Sequence, residues 1–288
     1  MTPLRQKMTE DLRLKGMART SEKLYLSIVT ALARRYECSP EDLDFGHVRE
    51  FLLDLRERGR QQATLASYWS ALRFLFVVTL GRTDFVEHVP RPRVKSQPGR
   101  VAPTIGEVRL ILEQANCTFD RTFFQTCYGA GLRLNEALHL EIRDIDAANE
   151  LLHVRNGKGG KVRAVHLAPE LLLVLRNYWR EVRPAGGDWV FPARRTGGAR
   201  DRVEWADHPP CPTTMQRRFR EAVSAARLRR HVTLHDLRRA YATHMLEHGV
   251  ELRMLQVALG HAKPSTTAVY AHVSVETIRT MPCPLTFL

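Results

Sequence analysis

The chain has 288 residues, 44 Lys+Arg against 31 Asp+Glu, a formal net charge of +13 and 44% hydrophobic residues, which excludes a disordered tail or a collagen-like fibre and fits a globular protein of two domains. No run reaches about 18 apolar residues, and the opening MTPLRQKMTEDLRLKGMART alternates charge without the apolar centre of a signal peptide, so a cytoplasmic protein with no membrane partner is expected. Cys38, Cys117, Cys127, Cys211 and Cys283 stand far apart with no CxxC pair, which argues against a disulfide framework or a structural zinc site and for small, buried, free thiols.

The positive charge is spread along the chain: residues 1–100 carry a net +6 and the remainder +7. Both halves could lie on one polyanion, since each neutralised phosphate releases counterions, and two domains on one duplex would make a clamp. Equally, 37 of the 44 basic residues are Arg, and a compositional bias would give many arginines that only solvate helix faces. Charge alone does not choose.

In chain order, the first 85 or so residues read as helices. Thr20-Ser21-Glu22 opens a stretch with Leu24, Leu26, Ile28, Val29, Leu32 and Ala33 at helical spacing. Ser39-Pro40-Glu41 gives a cap and first turn before Leu43, Val48, Phe51, Leu52 and Leu55. A third helix runs from about Gln62 through Leu65, Tyr68, Leu72, Leu75 and Phe76, its polar flank of Ser67, Ser70 and Arg73 facing either phosphate or water. From Glu87 to Pro103 the prolines forbid regular structure, and Arg91, Arg93, Lys95 and Arg100 supply charge, which suits a strap over a DNA backbone or an ordinary hinge. Thr104-Ile105-Gly106-Glu107 then matches a capping box before Val108, Leu110, Ile111 and Leu112. The expected division is therefore 1–86 helical domain, 87–103 basic linker and 104–288 second domain.

The second domain reads as helices from about 104 to 140, then a β-hairpin of Leu151–Arg155 and Lys161–Leu167 around the glycine-rich Asn156-Gly157-Lys158-Gly159-Gly160. Helices resume at Pro169, Pro184 to Pro212 is loop-like, and four more helical patches follow to Thr280. Polar residues interrupt these apolar frames at Arg133 in GLRLNEAL, at His235 and Arg238 three apart on one helix face in LHDLRRAYATHML, at His261 in LGH, and at Tyr270 in STTAVYAHV. Singly, each has a bland reading: Arg133 pairing with Glu136, His235 capping a helix, His261 satisfied in a core, Tyr270 half-buried.

As an ordered set, Arg133, Lys158, His235-x-x-Arg238, His261 and Tyr270 resemble the tyrosine site-specific recombinases of the phage-integrase family, from about Thr104 to His272, and the first domain is similar to the family's core-binding region. The resemblance implies a mainly α protein: a helical N-terminal core-binding (DNA-clamp) domain, then a mostly helical catalytic domain with a small antiparallel β-sheet, the DNA breaking-rejoining fold. It further implies DNA integration and recombination of the kind mobile elements use, on double-stranded DNA in the nucleoid, by a homotetramer on paired sites. The residue types suit that chemistry. Two guanidiniums, Arg133 and Arg238, give permanently charged bidentate donors to a phosphodiester whose oxygens gain charge under attack. Tyr270, a phenol with an ordinary pKa near 10, needs proton removal, which His235 can assist. Lys158, one of only seven lysines, can protonate the leaving 5′ oxygen.

By the same resemblance His261 hydrogen-bonds the phosphate and Glu136 is the supporting acid beside the first arginine. The turn offers two lysines; the family's acid matches Lys158, which leaves Lys161, with Arg91, Arg93 and Lys95, to DNA backbone contact. Because a phosphotyrosine conserves the bond energy, neither ATP, metal nor other cofactor is called for. Three rival readings stand beside this one. His244-x-x-Glu247-His248 spells an inverted zinc-protease motif but has only Glu251 and Glu276 downstream as further acidic ligands, and otherwise forms a helix with Met245 and Leu246 packed inward. A non-cleaving, sequence-specific DNA-binding integrase, decayed or regulatory, would not need the intact set, and a type IB topoisomerase would share the chemistry. Arg239 and Tyr241 depart from the family's usual His and Phe. The apolar tail Pro282–Leu288 suits exchange between subunits.

Overall fold

Thr2 accepts a hydrogen bond from the Arg5 amide and Pro3 occupies the first helical position, and with these signals the first helix begins. The computed structural model describes residues 2–94, 101–155, 162–182, 184, 187–194, 204–260 and 281–288. It divides into two compact units, Met1–Gly99 and Arg100–Leu288.

The described part of the first unit is helical: α1 (Pro3–Leu14), α2 (Arg19–Tyr36), α3 (Phe45–Glu57), α4 (Gln62–Arg73) and the single turn α5 (Phe85–His88). Their apolar faces meet in a core that includes Leu12, Ile28, Leu32, Val48, Leu72 and Phe76. Ser39-Pro40-Glu41 does not start α3. It makes a 3-10 turn, Pro40–Asp42, and the cap is Asp44, whose carboxylate accepts from the His47 amide at 3.0 Å while Leu43 is extended and breaks the helix. The third expected helix also changes character after Arg73, where Phe74–Thr79 widens into a π-helical turn that keeps Leu75, Phe76 and Thr79 all buried. Trp69 Nε1 donates to the Val89 carbonyl at 2.8 Å, and so fastens the end of α5 to α4.

The second unit opens as its capping box requires. Thr104 Oγ1 accepts from the Glu107 amide at 3.2 Å, Glu107 returns to the Thr104 amide at 2.7 Å, and α6 (Ile105–Glu113) follows. Val108, Ile111 and Leu112 are buried, whereas Leu110 faces outward. At the centre is α7 (Thr118–Gly129), whose Phe119, Phe123, Phe124, Cys127 and Tyr128 are each within 1% of complete burial. Around it pack α6, the short α8 (Leu134–Leu138), α9 (Pro169–Val182), α10 (Pro212–Ala225) and α11 (Leu234–Glu247), with α12 (Leu252–Leu259) beyond. The sheet has three antiparallel strands in the order β1 (Ile145–Asp146), β2 (Leu151–Val154) and β3 (Arg163–His166). Its register sets Leu151 opposite His166 and Val154 opposite Arg163, so Arg163 stands at the end of the hairpin nearest its turn.

In the single chain the tail docks in cis, and the expectation of five buried thiols needs correction. The tail closes on its own unit: Pro284–Phe287 form a 3-10 turn, Leu285 packs on Gly129, where a Cβ would lie 3.1 Å away, and Phe287 stacks on His248 with centroids 3.6 Å apart. Apolar surface at a chain end is buried in cis when a groove lies within reach, here beside α7 and α11. The five thiols are free, but Cys211 is exposed and Cys38 and Cys117 only partly covered; Cys127 and Cys283 alone are buried. Among the described residues no helix is long and apolar enough to cross a membrane.

Candidate active site

The site grows from a glycine turn at the end of α7. Gly131 has φ +59°, and a Cβ there would lie 2.6 Å from Tyr241 Cδ1, so both the backbone and the packing demand glycine. The turn delivers Arg133 to the N-cap of α8 and Glu136 to its first turn. Arg133 then meets Glu136 twice, through its amide at 2.8 Å and through Nη1 at 2.7 Å.

Glu136 is the hub. Its side chain is 1% exposed, and Arg163 of β3 grips it bidentately, Nη1 to Oε1 at 2.8 Å and Nη2 to Oε2 at 2.7 Å. Arg238 of α11 approaches the same carboxylate at 3.5 Å. Burial alone would raise the Glu136 pKa, but the hydrogen bonds and charge of Arg163, joined by those of Arg133, hold it at about 2. One carboxylate thus faces three guanidiniums, and the cluster keeps a surplus of positive charge suited to an anion.

Arg238, 4% exposed, is fixed by the backbone of two turns: Nη1 donates to the Gly131 carbonyl at 2.7 Å and Nη2 to the Leu259 carbonyl. Burial first, and then the charge of Arg133, lower its pKa to about 10, which leaves it protonated at neutral pH. The second turn needs glycine as the first does. Gly260 ends α12 with φ +60°, and a Cβ there would stand 2.9 Å from Arg163 Cδ. Arg163 itself also donates from Nε to the Ala258 carbonyl at 2.8 Å.

His235 lies in the first turn of α11, which Thr233 and Asp236 cap reciprocally, the Thr233 amide donating to Asp236 at 2.8 Å. The residue is exposed, yet partial desolvation of its ring and the charges of Arg239, Arg238 and Arg133 hold its pKa below the ordinary 6.5. The imidazole is therefore neutral at neutral pH and able to accept a proton.

Of the residues expected from sequence, the structure brings Arg133, Glu136 and Arg238 together, with His235 near enough to feel both arginines. Arg91 and Arg93 are exposed in the first unit, Arg91 5.7 Å above the Trp69 ring. Lys95, Lys158, Lys161, His261 and Tyr270 lie outside the described residues. Arg163 is the participant that sequence reading missed: its signal was only an arginine in a strand pattern, and its partner Glu136 is 27 residues away. The zinc-protease motif has other work. His244 bonds Tyr128 Oη through Nδ1 at 2.8 Å and the backbone of Pro103, while His248 bonds the His244 carbonyl and stacks on Phe287. Met245 is buried as expected there, but Leu246 is 43% exposed.

Residues 105–277 match the phage integrase family and residues 4–83 the phage integrase N-terminal SAM-like domain. Over 294 aligned residues, covering 100% of this chain and 90% of the relative, the chain is 35% identical to the putative integrase/recombinase y4qK of Sinorhizobium fredii. It is 32% identical to the tyrosine recombinase XerA of Pyrococcus horikoshii over 80% of this chain and 76% of that protein. Its fold matches that of lambda integrase, solved as a tetramer bound to a Holliday junction, with a TM-score of 0.72 and 20% identity over 90% of this chain and 76% of that one. With two matched domains and full-length relatives, this chain belongs to the phage integrase family of tyrosine recombinases.

Proposed function

We propose that this protein is a site-specific DNA recombinase, or integrase, that cuts and rejoins strands of double-stranded DNA through a 3′-phosphotyrosine at Tyr270. The Tyr270 phenol oxygen attacks the scissile phosphorus, its proton passing to His235. The bond from phosphorus to the 5′ oxygen breaks, and that oxygen takes a proton from Lys158. A free 5′ hydroxyl on the same or another strand then reverses the step. One phosphoester is exchanged for another, so the reaction balances without ATP, metal or any cofactor. Arg133, Arg238 and His261 hold the non-bridging oxygens, Glu136 orients the arginines, and Lys161 with Arg91, Arg93 and Lys95 contacts the DNA backbone. Residues 1–86 and 104–288, joined by 87–103, would grip the duplex, with four copies on two paired sites in the cytoplasm, on the nucleoid.

The observation that carries this reading is the arginine cluster on Glu136, with its surplus positive charge and a neutral His235 beside it. The test is a suicide-substrate assay. Wild type and Tyr270→Phe are incubated in EDTA with nicked duplexes spanning the DNA that flanks the gene, then run on denaturing gels. A covalent band with wild type alone is expected. Tight binding by both proteins with no band from either would replace this reading with that of a non-cleaving DNA-binding integrase.

A further inference from the structure

We propose that Arg239 is a further DNA contact of the active site and holds one of the two phosphates that flank the scissile phosphate. The proposal rests on the recombinase reading given above and adds a residue and a role to it.

Helical geometry sets Arg239 on the open side of the site. From Leu234 to Tyr241 every residue of α11 is buried except His235 and Arg239. Four residues apart, these two share one face of the helix. Arg238 turns away from that face, its guanidinium bonding the Gly131 and Leu259 carbonyls. After partial desolvation of the ring, the charge of Arg239 is the largest influence holding the His235 pKa low, ahead of Arg238 and Arg133, which agrees with a guanidinium close to that ring. Along one strand, phosphates recur about every 3.4 Å of the duplex axis. A residue one helical turn, about 5.4 Å, from His235 is therefore within side-chain reach of a neighbour of the scissile phosphate.

The side chain is also held in place. Asp236 is only 5% exposed, and its Oδ2 accepts from the Thr233 amide at 2.8 Å and from the Thr233 hydroxyl at 2.6 Å. Its other oxygen, Oδ1, accepts from Arg239 Nη1 at 3.2 Å. Because Arg239 is 43% exposed, this pair contributes little to stability, and its effect is to fix where the guanidinium stands. The rotamer freedom that an exposed arginine loses on binding an anion is then lost already on folding. Asp236 takes one donor, and the planar fork has five. Charge balance gives the fork its second partner. Arg133, Arg163, Arg238 and Arg239 face Glu136 and Asp236, which leaves the group a surplus of two positive charges. One scissile phosphodiester neutralises one of them, and a flanking phosphate neutralises the other.

The test is a cycle of substitutions read by binding. Kd is measured at neutral pH, where His235 is uncharged, for wild type, Arg239→Gln and Arg239→Lys. One duplex is unmodified, with its cleavage point given by the length of the wild-type adduct, and two others carry an uncharged methylphosphonate at one or the other flanking phosphate. On the unmodified duplex Arg239→Gln is expected to bind about tenfold more weakly, with the dependence of log affinity on log salt shallower by about 0.9. At one flanking position the methylphosphonate should weaken wild type by about the same factor and leave Arg239→Gln within about twofold of its own value on the unmodified duplex. Arg239→Lys should keep both the salt dependence and the sensitivity, since an ammonium still neutralises a phosphate. Each protein is compared with itself across duplexes, so a loss of folded protein cancels. An unchanged salt dependence in Arg239→Gln would overturn the proposal. So would wild type insensitive at both flanking positions, or Arg239→Gln as sensitive as wild type. Tight binding by wild type with no adduct would overturn the recombinase reading, and this proposal with it.

Discussion

Replacing Glu136 with Gln removes the only carboxylate shared by Arg133, Arg163 and Arg238 among the described residues while preserving its shape. The fall of its pKa from the ordinary 4.5 to about 2 corresponds to about 3 kcal/mol of stability for a side chain only 1% exposed. That agrees with the roughly 3–5 kcal/mol lost when a buried ion pair is deprived of one partner. The folded value lies below the unfolded one, so this stability is fully present above about pH 4.5 and is lost as the pH falls towards 2. Glu136→Gln should therefore lower the unfolding free energy of the second unit by about 3 kcal/mol at pH 7, or its Tm by about 6–12 °C, and more than half of that difference should be gone by about pH 3. Urea unfolding followed by tryptophan fluorescence reports on this unit, which holds Trp179, Trp189 and Trp205 against Trp69 in the other. A difference below about 1 kcal/mol at pH 7, or one that is the same at both pH values, would refute the hub role.

Gly131→Ala places a side chain at φ +59° and a Cβ 2.6 Å from Tyr241, and is expected to cost about 3 kcal/mol in thermal unfolding, with part of the loss recovered in a Tyr241→Ala background. Full additivity of the two changes would contradict the clash. Because the His235 pKa lies below the ordinary 6.5, the acid limb of single-turnover adduct formation should fall below pH 6.5. Arg239→Gln removes a positive neighbour and should move that limb to higher pH; a limb that does not move would exclude His235 as the titrating group. Leu285→Ala, which removes the side chain packed over Gly129, should destabilise the protein by about 2 kcal/mol even at concentrations where it is monomeric. Unchanged stability of the monomer would show that the tail is not docked in cis.

Local signals read well where sequence neighbours made the structure. The Thr104–Glu107 box, the Pro169 start of α9 and the strands around residues 151–154 and 163–166 all rest on contacts within a few residues or on simple alternation. Helical spacing could not say which of two adjacent apolar residues turns inward, and so Leu110 and Leu246 were expected in the core but are exposed. Ser39 carried the cap signal, but no side-chain cap bond forms there, and it is Asp44 whose carboxylate reaches the His47 amide at the start of the buried face. Strand β1 has two residues, too few for a period of two to register. At the site, Arg133, His235 and Arg238 stood out as polar residues in apolar frames, and Glu136 was expected from the family resemblance. Arg163 did not, because an arginine in a half-exposed strand is ordinary until the fold brings α8, β3 and α12 to one point.

The central claim is that Tyr270 carries the DNA strand during the reaction. It is tested most directly by trapping the adduct on a nicked duplex, digesting the DNA to a residual nucleotide and the protein with trypsin, and sequencing the modified peptide by mass spectrometry. The account predicts a nucleotide joined by its 3′ phosphate to Tyr270. A nucleotide on any other residue, or a protein that binds the duplex tightly and yields no modified peptide, would contradict it.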